Sequence, residues 1–175
     1  MELAPRAQRQ IIRRMEPLEP PALHQAQAAY GWLELGNAEE AFAELERLPE
    51  ELQLLPAVQA VRLDCLMAAK DWNAAVKLAQ VLCGQWAEEP GLWLHHAYAA
   101  RRCAGGSIEA AYELLAPCVE RFPEEWLVPY NVACYLCQME RLDEARAMLE
   151  MARSKGGERV DAMAKDDEDL APLNL

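Results

Sequence analysis

Residues 127–152 read LVPYNVACYLCQMERLDEARAMLEMA, and the way this stretch divides decides the fold. Its first half, up to Met139, is apolar apart from a few polar residues such as Asn131 and Gln138, and it holds no glycine. Glu140 and Arg141 interrupt it. The second half sets Ala145, Leu149 and Ala152 at i, i+4 and i+7 among Asp, Glu and Arg. That is one apolar stripe along an otherwise wet helix. The reading is two helices of about a dozen residues joined by a tight turn.

The same pattern stands three times upstream. GNAEEAFAELERL (36–48), KDWNAAVKLAQVL (70–82) and GSIEAAYELLAPC (106–118) each open on a turn-like residue and reach an alanine five positions later. With the stretch at 140–152 these alanines are Ala41, Ala75, Ala111 and Ala145, at spacings of 34, 36 and 34. The stripe continues through Leu45, Ala79, Leu115 and Leu149, then through Leu48, Leu82, Cys118 and Ala152. Residues 22–35, 57–69, 91–104 and 127–139, just before the turns, are rich in Ala, Leu and Met and also read as helices. Within them Ala29, Leu63, Ala97 and Ala133 align if two residues are added in the turn at Ala104-Gly105-Gly106. A fixed period of this length marks a helix-turn-helix array, in which each unit buries its apolar face on its neighbour. Small residues let paired helices approach, where a larger side chain would overpack at about 1–3 kcal/mol. The competing reading is an ordinary helical bundle with accidental periodicity.

The chain resembles the tetratricopeptide-repeat (TPR) family, whose pattern is W-x2-L-G-x2-Y, then A-x3-F, then P. The fourth unit carries Val132 and Ala133 for the Leu-Gly pair, Leu136 for the Tyr, and Ala145-x3-Leu149 for A-x3-F. The third supplies Trp93, Ala97, Ala111-x3-Leu115 and the closing Pro123; the first supplies Ala28, Ala29, Trp32 and Ala41-x3-Leu45. The second departs most, with Arg62 and Leu63 where an apolar–small pair is expected. Pro56 and Pro90 stand three residues later than a closing proline should, which predicts longer turns there. The resemblance covers about residues 22–153. It implies an all-α, right-handed TPR-type helical solenoid of four repeats, at about 22–55, 56–90, 91–124 and 125–153.

The flanks read as caps. Residues 1–21 are expected to hold a capping helix over 5–15, with Ile11, Ile12 and Met15 facing the first unit, and a proline-rich link that ends it. The arginines of that helix, Arg6, Arg9, Arg13 and Arg14, read as a solvated face that partly offsets the negative body, with an acidic partner as the alternative. In 154–175, Gly156 and Gly157 are expected to stop the last repeat helix, and ERVDAMAK (158–165) to form one more short helix with Val160 and either Met163 or Ala164 turned inward. DDEDLAPLNL (166–175) has two open readings. Either Leu170 and Leu173 fold back onto the array while the acids stay in water, or the segment is disordered.

Composition narrows the function. The 175 residues carry 17 Lys+Arg against 29 Asp+Glu, a formal net charge of -12, which speaks against a general nucleic-acid binder. No apolar run has the length of a leader peptide or a membrane span, so no membrane insertion is expected. The six cysteines, Cys65, Cys83, Cys103, Cys118, Cys134 and Cys137, lie in helical segments and read as reduced core thiols of a cytoplasmic protein.

The sequence carries few residues in chemistry-bearing patterns. His95 and His96 are adjacent, so on a helix they point about 100° apart and cannot easily share a metal. Cys134 and Cys137 fall on one helix face, without the second pair that a zinc ribbon needs. Phosphate-loop, nucleophile-elbow and zinc-protease motifs are missing from the sequence. The expectation is therefore no enzyme, no catalytic residues, no metal and no cofactor.

In the TPR family the first helix of each unit lines a concave surface. The resemblance thus implies a peptide-binding groove with Tyr30, Asp64, Met67, Tyr98, Arg101, Arg102, Tyr130 and Gln138 along it. Tyrosines offer apolar area and a hydroxyl at low entropic cost, and the two arginines suit a carboxylate. The Asn/Lys/Arg set by which some members clamp a chaperone's C-terminal carboxylate is missing from units one and two. The leading expectation is a non-enzymatic scaffold that binds an unidentified protein or peptide. One alternative is a small acidic TPR chaperone of a bacterial secretion system; another is a redox or metal sensor using Cys134 and Cys137. Self-association through Trp72, Trp86 or Trp126 is also open.

Overall fold

In a computed structural model of the protein, which describes residues 18–174, the described residues form helices joined by turns, with no strand among them. The capping helix expected over 5–15 lies outside the described residues. Two compact units divide the chain, one ending at His95 and one beginning at His96.

The N-terminal unit holds α1 (Ala22–Glu34), α2 (Ala38–Glu46), the single turn α3 (Glu50–Gln53), α4 (Pro56–Ala68), α5 (Trp72–Gln85) and the start of α6 (Pro90–Ala100). Helices α1 and α2 pack as a hairpin, as do α4 and α5, and α4 lies against both α1 and α2. Ala41 and Ala75, on the second helix of each hairpin, are fully buried, and so are Ala29 and Leu63 on the first.

The C-terminal unit holds the end of α6, then α7 (Ile108–Leu115), α8 (Cys118–Arg121), α9 (Leu127–Gln138), α10 (Leu142–Gly156), α11 (Glu158–Ala164) and a terminal 3-10 helix (Glu168–Leu173). Helix α9 is its centre, packed on α7, α8, α10 and the 3-10 helix. Every residue from Val128 to Cys137 is buried. Ala111 and Ala145 are sealed from solvent, as are Ala97 and Ala133.

Three hairpins close by the same backbone device. Gly36, Lys70 and Glu140 take left-handed backbone, at φ of 74°, 58° and 60°. The N–H after each reaches back five residues, Asn37 to the Trp32 carbonyl, Asp71 to Leu66 and Arg141 to Leu136. This satisfies carbonyls that the helix end would otherwise leave bare. The second helix is then capped by a side chain: Asn37 accepts from the Glu40 N–H, Asp71 from Ala74 and Ser107 from Ala110. Arg141 stands in the equivalent place and offers no oxygen. Its guanidinium instead grips Glu144 at 2.6–2.7 Å.

The third hairpin turns differently, as the inserted residues predict. Gly105 is left-handed at φ 76°, and a Cβ on Gly106 would sit 2.1 Å from the Ala100 carbonyl oxygen. Prolines account for three further departures. Pro56 and Pro90 open α4 and α6 rather than closing the units before them, because a proline at a helix start gives up an N–H that has no partner there anyway. The longer connection before Pro56 winds into α3. Pro117 splits the helix expected over 106–118 into α7 and α8, since its ring has no N–H to give to the ladder.

Helix α10 runs through Gly156 and stops at Gly157, left-handed at φ 56°. Val160 and Ala164 of α11 are buried as expected. The segment after it is folded: Leu170 and Leu173 are each 1% exposed.

Candidate functional site

Helix α9 presents Tyr130, Cys134 and Gln138 at i, i+4 and i+8, one row along one face. The end of α6 brings Tyr98, and the turn just beyond it brings Arg101 and Arg102. All six belong to the C-terminal unit, and four of them contact the chain's own terminal segment.

Asp167 and Asp169 face this row. The Tyr130 hydroxyl donates to Asp167 Oδ2 at 2.8 Å, and the Cys134 thiol lies 3.7 Å from the same oxygen. Asp167 Oδ1 accepts the Asp169 N–H, which starts the 3-10 helix. Arg101 holds Asp169 in a two-pronged pair, Nη1 to Oδ2 at 2.8 Å and Nη2 to Oδ1 at 3.1 Å. With about 20% of each side chain exposed, this pair is shielded more than a surface bridge and less than a core one. Two side chains then grip the backbone: Gln138 donates to the Asp169 carbonyl at 3.4 Å and Arg146 to the Leu173 carbonyl at 3.0 Å. The expectation that the tail acids stay in water therefore fails for Asp167 and Asp169, each of which meets a donor in this cradle. It holds for Asp166 and Glu168, which are exposed.

Arg102 turns aside, its guanidinium 3.6 Å from the centre of the Tyr98 ring. Beside the tail a cleft of about 340 Å³ stays open, lined by Arg101, Arg102 and Met163 and by the acids from Asp166 to Asp169.

Electrostatics follow from these contacts. The bond from Arg101 holds the Asp169 carboxyl below the usual range. Burial, helped by Asp167 and Asp169, keeps the Cys134 thiol protonated well above its ordinary pKa, and burial raises Cys137 as well. Thiols held this way are poor nucleophiles. Ligand atoms of Cys134, Asp167 and Asp169 lie within 4.8 Å of one another. A cation there would have to displace the Arg101 guanidinium and the Tyr130 hydroxyl.

The other predicted residues lie in the N-terminal unit. Tyr30 on α1 donates to Asp64 Oδ2 on α4 at 2.7 Å. Asp64 Oδ1 lies 3.4 Å from His95 Nε2, with both side chains almost fully buried. Met67 is buried on the same helix. Burial drives both members of the Asp64–His95 pair toward neutrality, raising Asp64 to about 7 and lowering His95 to about 4.

Sequence reasoning missed His95, Asp167 and Asp169 as members of these clusters. His95 gave no signal in the sequence, since its partner Asp64 stands 31 residues away. For the two aspartates the leucines at 170 and 173 marked the segment as foldable, but nothing marked which acids would be held.

No protein-family model matches the sequence, and no curated protein matches it. None of the described helices is long and apolar enough to cross a membrane.

Proposed function

We propose that this chain is a non-catalytic scaffold of the tetratricopeptide type, which binds a peptide or protein segment on the exposed face of its helical hairpins. The observation that carries the reading is the cradle on α9. There a short extended-to-3-10 segment is held by two buried leucines, two carboxylates and two side chain-to-backbone bonds. Such a mixture of apolar anchors and backbone capture is how helical grooves take peptides. The repeated hairpin closure at Gly36, Lys70 and Glu140, with its row of buried alanines, supports the tetratricopeptide assignment. Six free cysteines favour a reducing compartment.

Selection from a displayed random-peptide library tests the reading. The expected result is a reproducible family of bound peptides, weakened at least tenfold by Tyr98→Ala/Arg101→Ala in a chain that still melts cooperatively. Failure to enrich any peptide rejects it.

A further inference from the structure

Resting on that reading, we propose that the α9 cradle recognises acidic segments of the pattern Asp-x-Asp-Leu-x-x-Leu in a partner protein, and that residues 167–173 of the chain fill it in the partner's absence. The pattern is read from what the cradle touches. Asp167 meets Tyr130, Asp169 meets Arg101, and Leu170 and Leu173 are buried. Glu168, Ala171 and Pro172 point to solvent and carry no recognition. Gln138 and Arg146 hold backbone carbonyls, contacts that any sequence can supply. Four positions are thus specified and three are spacers.

The attachment is suited to exchange. The held segment is one short 3-10 helix with Pro172 inside it, following the exposed Lys165 and Asp166. The cleft of about 340 Å³ beside it is lined by the tail's own acids as well as by Arg101 and Arg102, so an incoming acidic segment gains Arg101 as Asp169 releases it. The tail competes at an effective concentration on the order of millimolar, so a partner must bind more tightly than the tail does or add contacts outside the cradle.

A fluorescein-labelled synthetic peptide, DDEDLAPLN, tests this by anisotropy against the full chain. Leu170→Ala/Leu173→Ala should vacate the cradle and bind the peptide at least tenfold more tightly than wild type does. Adding Arg101→Ala to that variant, or replacing both anchoring aspartates of the peptide by Asn, should remove the gain. Absence of peptide binding to the folded, vacated chain overturns the proposal. Should the double variant not fold, Asp169→Asn serves in its place, and hydrogen exchange on the wild type decides independently. Amides of Asp169 and Leu170 exchanging much faster than those of α9 support a detachable tail, and exchange in step with α9 overturns it. If the library enriches peptides lacking this pattern, the scaffold reading stands and this proposal alone fails. If neither library nor tail peptide binds, both fail.

Discussion

Asp64 and His95 face each other at 3.4 Å with almost no exposure to water, and the Tyr30 hydroxyl holds the far oxygen of the carboxyl. Burial makes each group prefer its neutral form, so folding moves a proton from imidazolium to carboxylate. The two effects on stability oppose each other. Asp64, raised from 3.8 to about 7, contributes stability that is full below 3.8 and is lost as pH rises toward 7. His95, lowered from 6.5 to about 4, contributes nothing above 6.5 and costs stability as pH falls toward 4. Between about pH 4 and 6.5 the slopes cancel. Relative to wild type, Asp64→Asn should therefore gain stability with rising pH across that window, and His95→Gln should lose it. Urea midpoints at several pH values measure both slopes; equal slopes in the two variants would contradict the pairing.

Lys70 and Glu140 occupy left-handed backbone that suits glycine, as at Gly36. A residue with a Cβ pays about 1–2 kcal/mol there, offset in part by the greater freedom glycine has when unfolded. Lys70→Gly and Glu140→Gly should each stabilise by about 0.5–1 kcal/mol in chemical denaturation. Gly36→Ala should cost a similar amount.

Gly106 and Gly84 should respond oppositely to alanine. At Gly106 the new methyl meets a backbone carbonyl that cannot rotate away, so a loss of about 2–3 kcal/mol is expected. Gly84 lies inside α5 with nothing within 4 Å of a Cβ, and alanine there should add about 0.5–1 kcal/mol. Thermal melts of the two variants suffice.

Arg101→Ala removes the two-pronged hold on Asp169. A pair this shielded is worth about 1 kcal/mol, and the loss should shrink as acid protonates Asp169. A difference that persists undiminished in acid would mean that Arg101 acts through its packing on Tyr135 instead.

Asn37 and Asp71 cap their helices through a side-chain oxygen, so alanine at either should cost about 1 kcal/mol. Ala substitution at Arg141, which caps nothing through an oxygen, should cost less in the same denaturation assay.

Helices were legible wherever apolar spacing was regular. The row Ala41, Ala75, Ala111 and Ala145 announced close packing, and all four are sealed. Breaks were harder to read, because a proline has two meanings. Pro56 and Pro90 resemble late closing residues of the family pattern, although φ of about −65° suits the first turn of a helix as well. Pro117 followed an apolar stripe that continues through Cys118, and the stripe hid the interruption. Of the candidate site, Tyr130 and Arg101 were visible from register alone. Their partners Asp167 and Asp169 were not, since an acid at a chain end reads as solvated unless the donor facing it is known. His95 was hidden because only the fold brings its imidazole against the carboxyl on α4.

Five of the six thiols are enclosed, while Cys103 is partly open. A brief pulse of alkylating reagent should mark Cys103 first and reach the others only through transient opening. Cys65 and Cys83 then time the breathing of the unit that ends at His95, and Cys118, Cys134 and Cys137 that of the unit after it. The chain thus carries its own clock for each half, readable by mass spectrometry without any engineered probe.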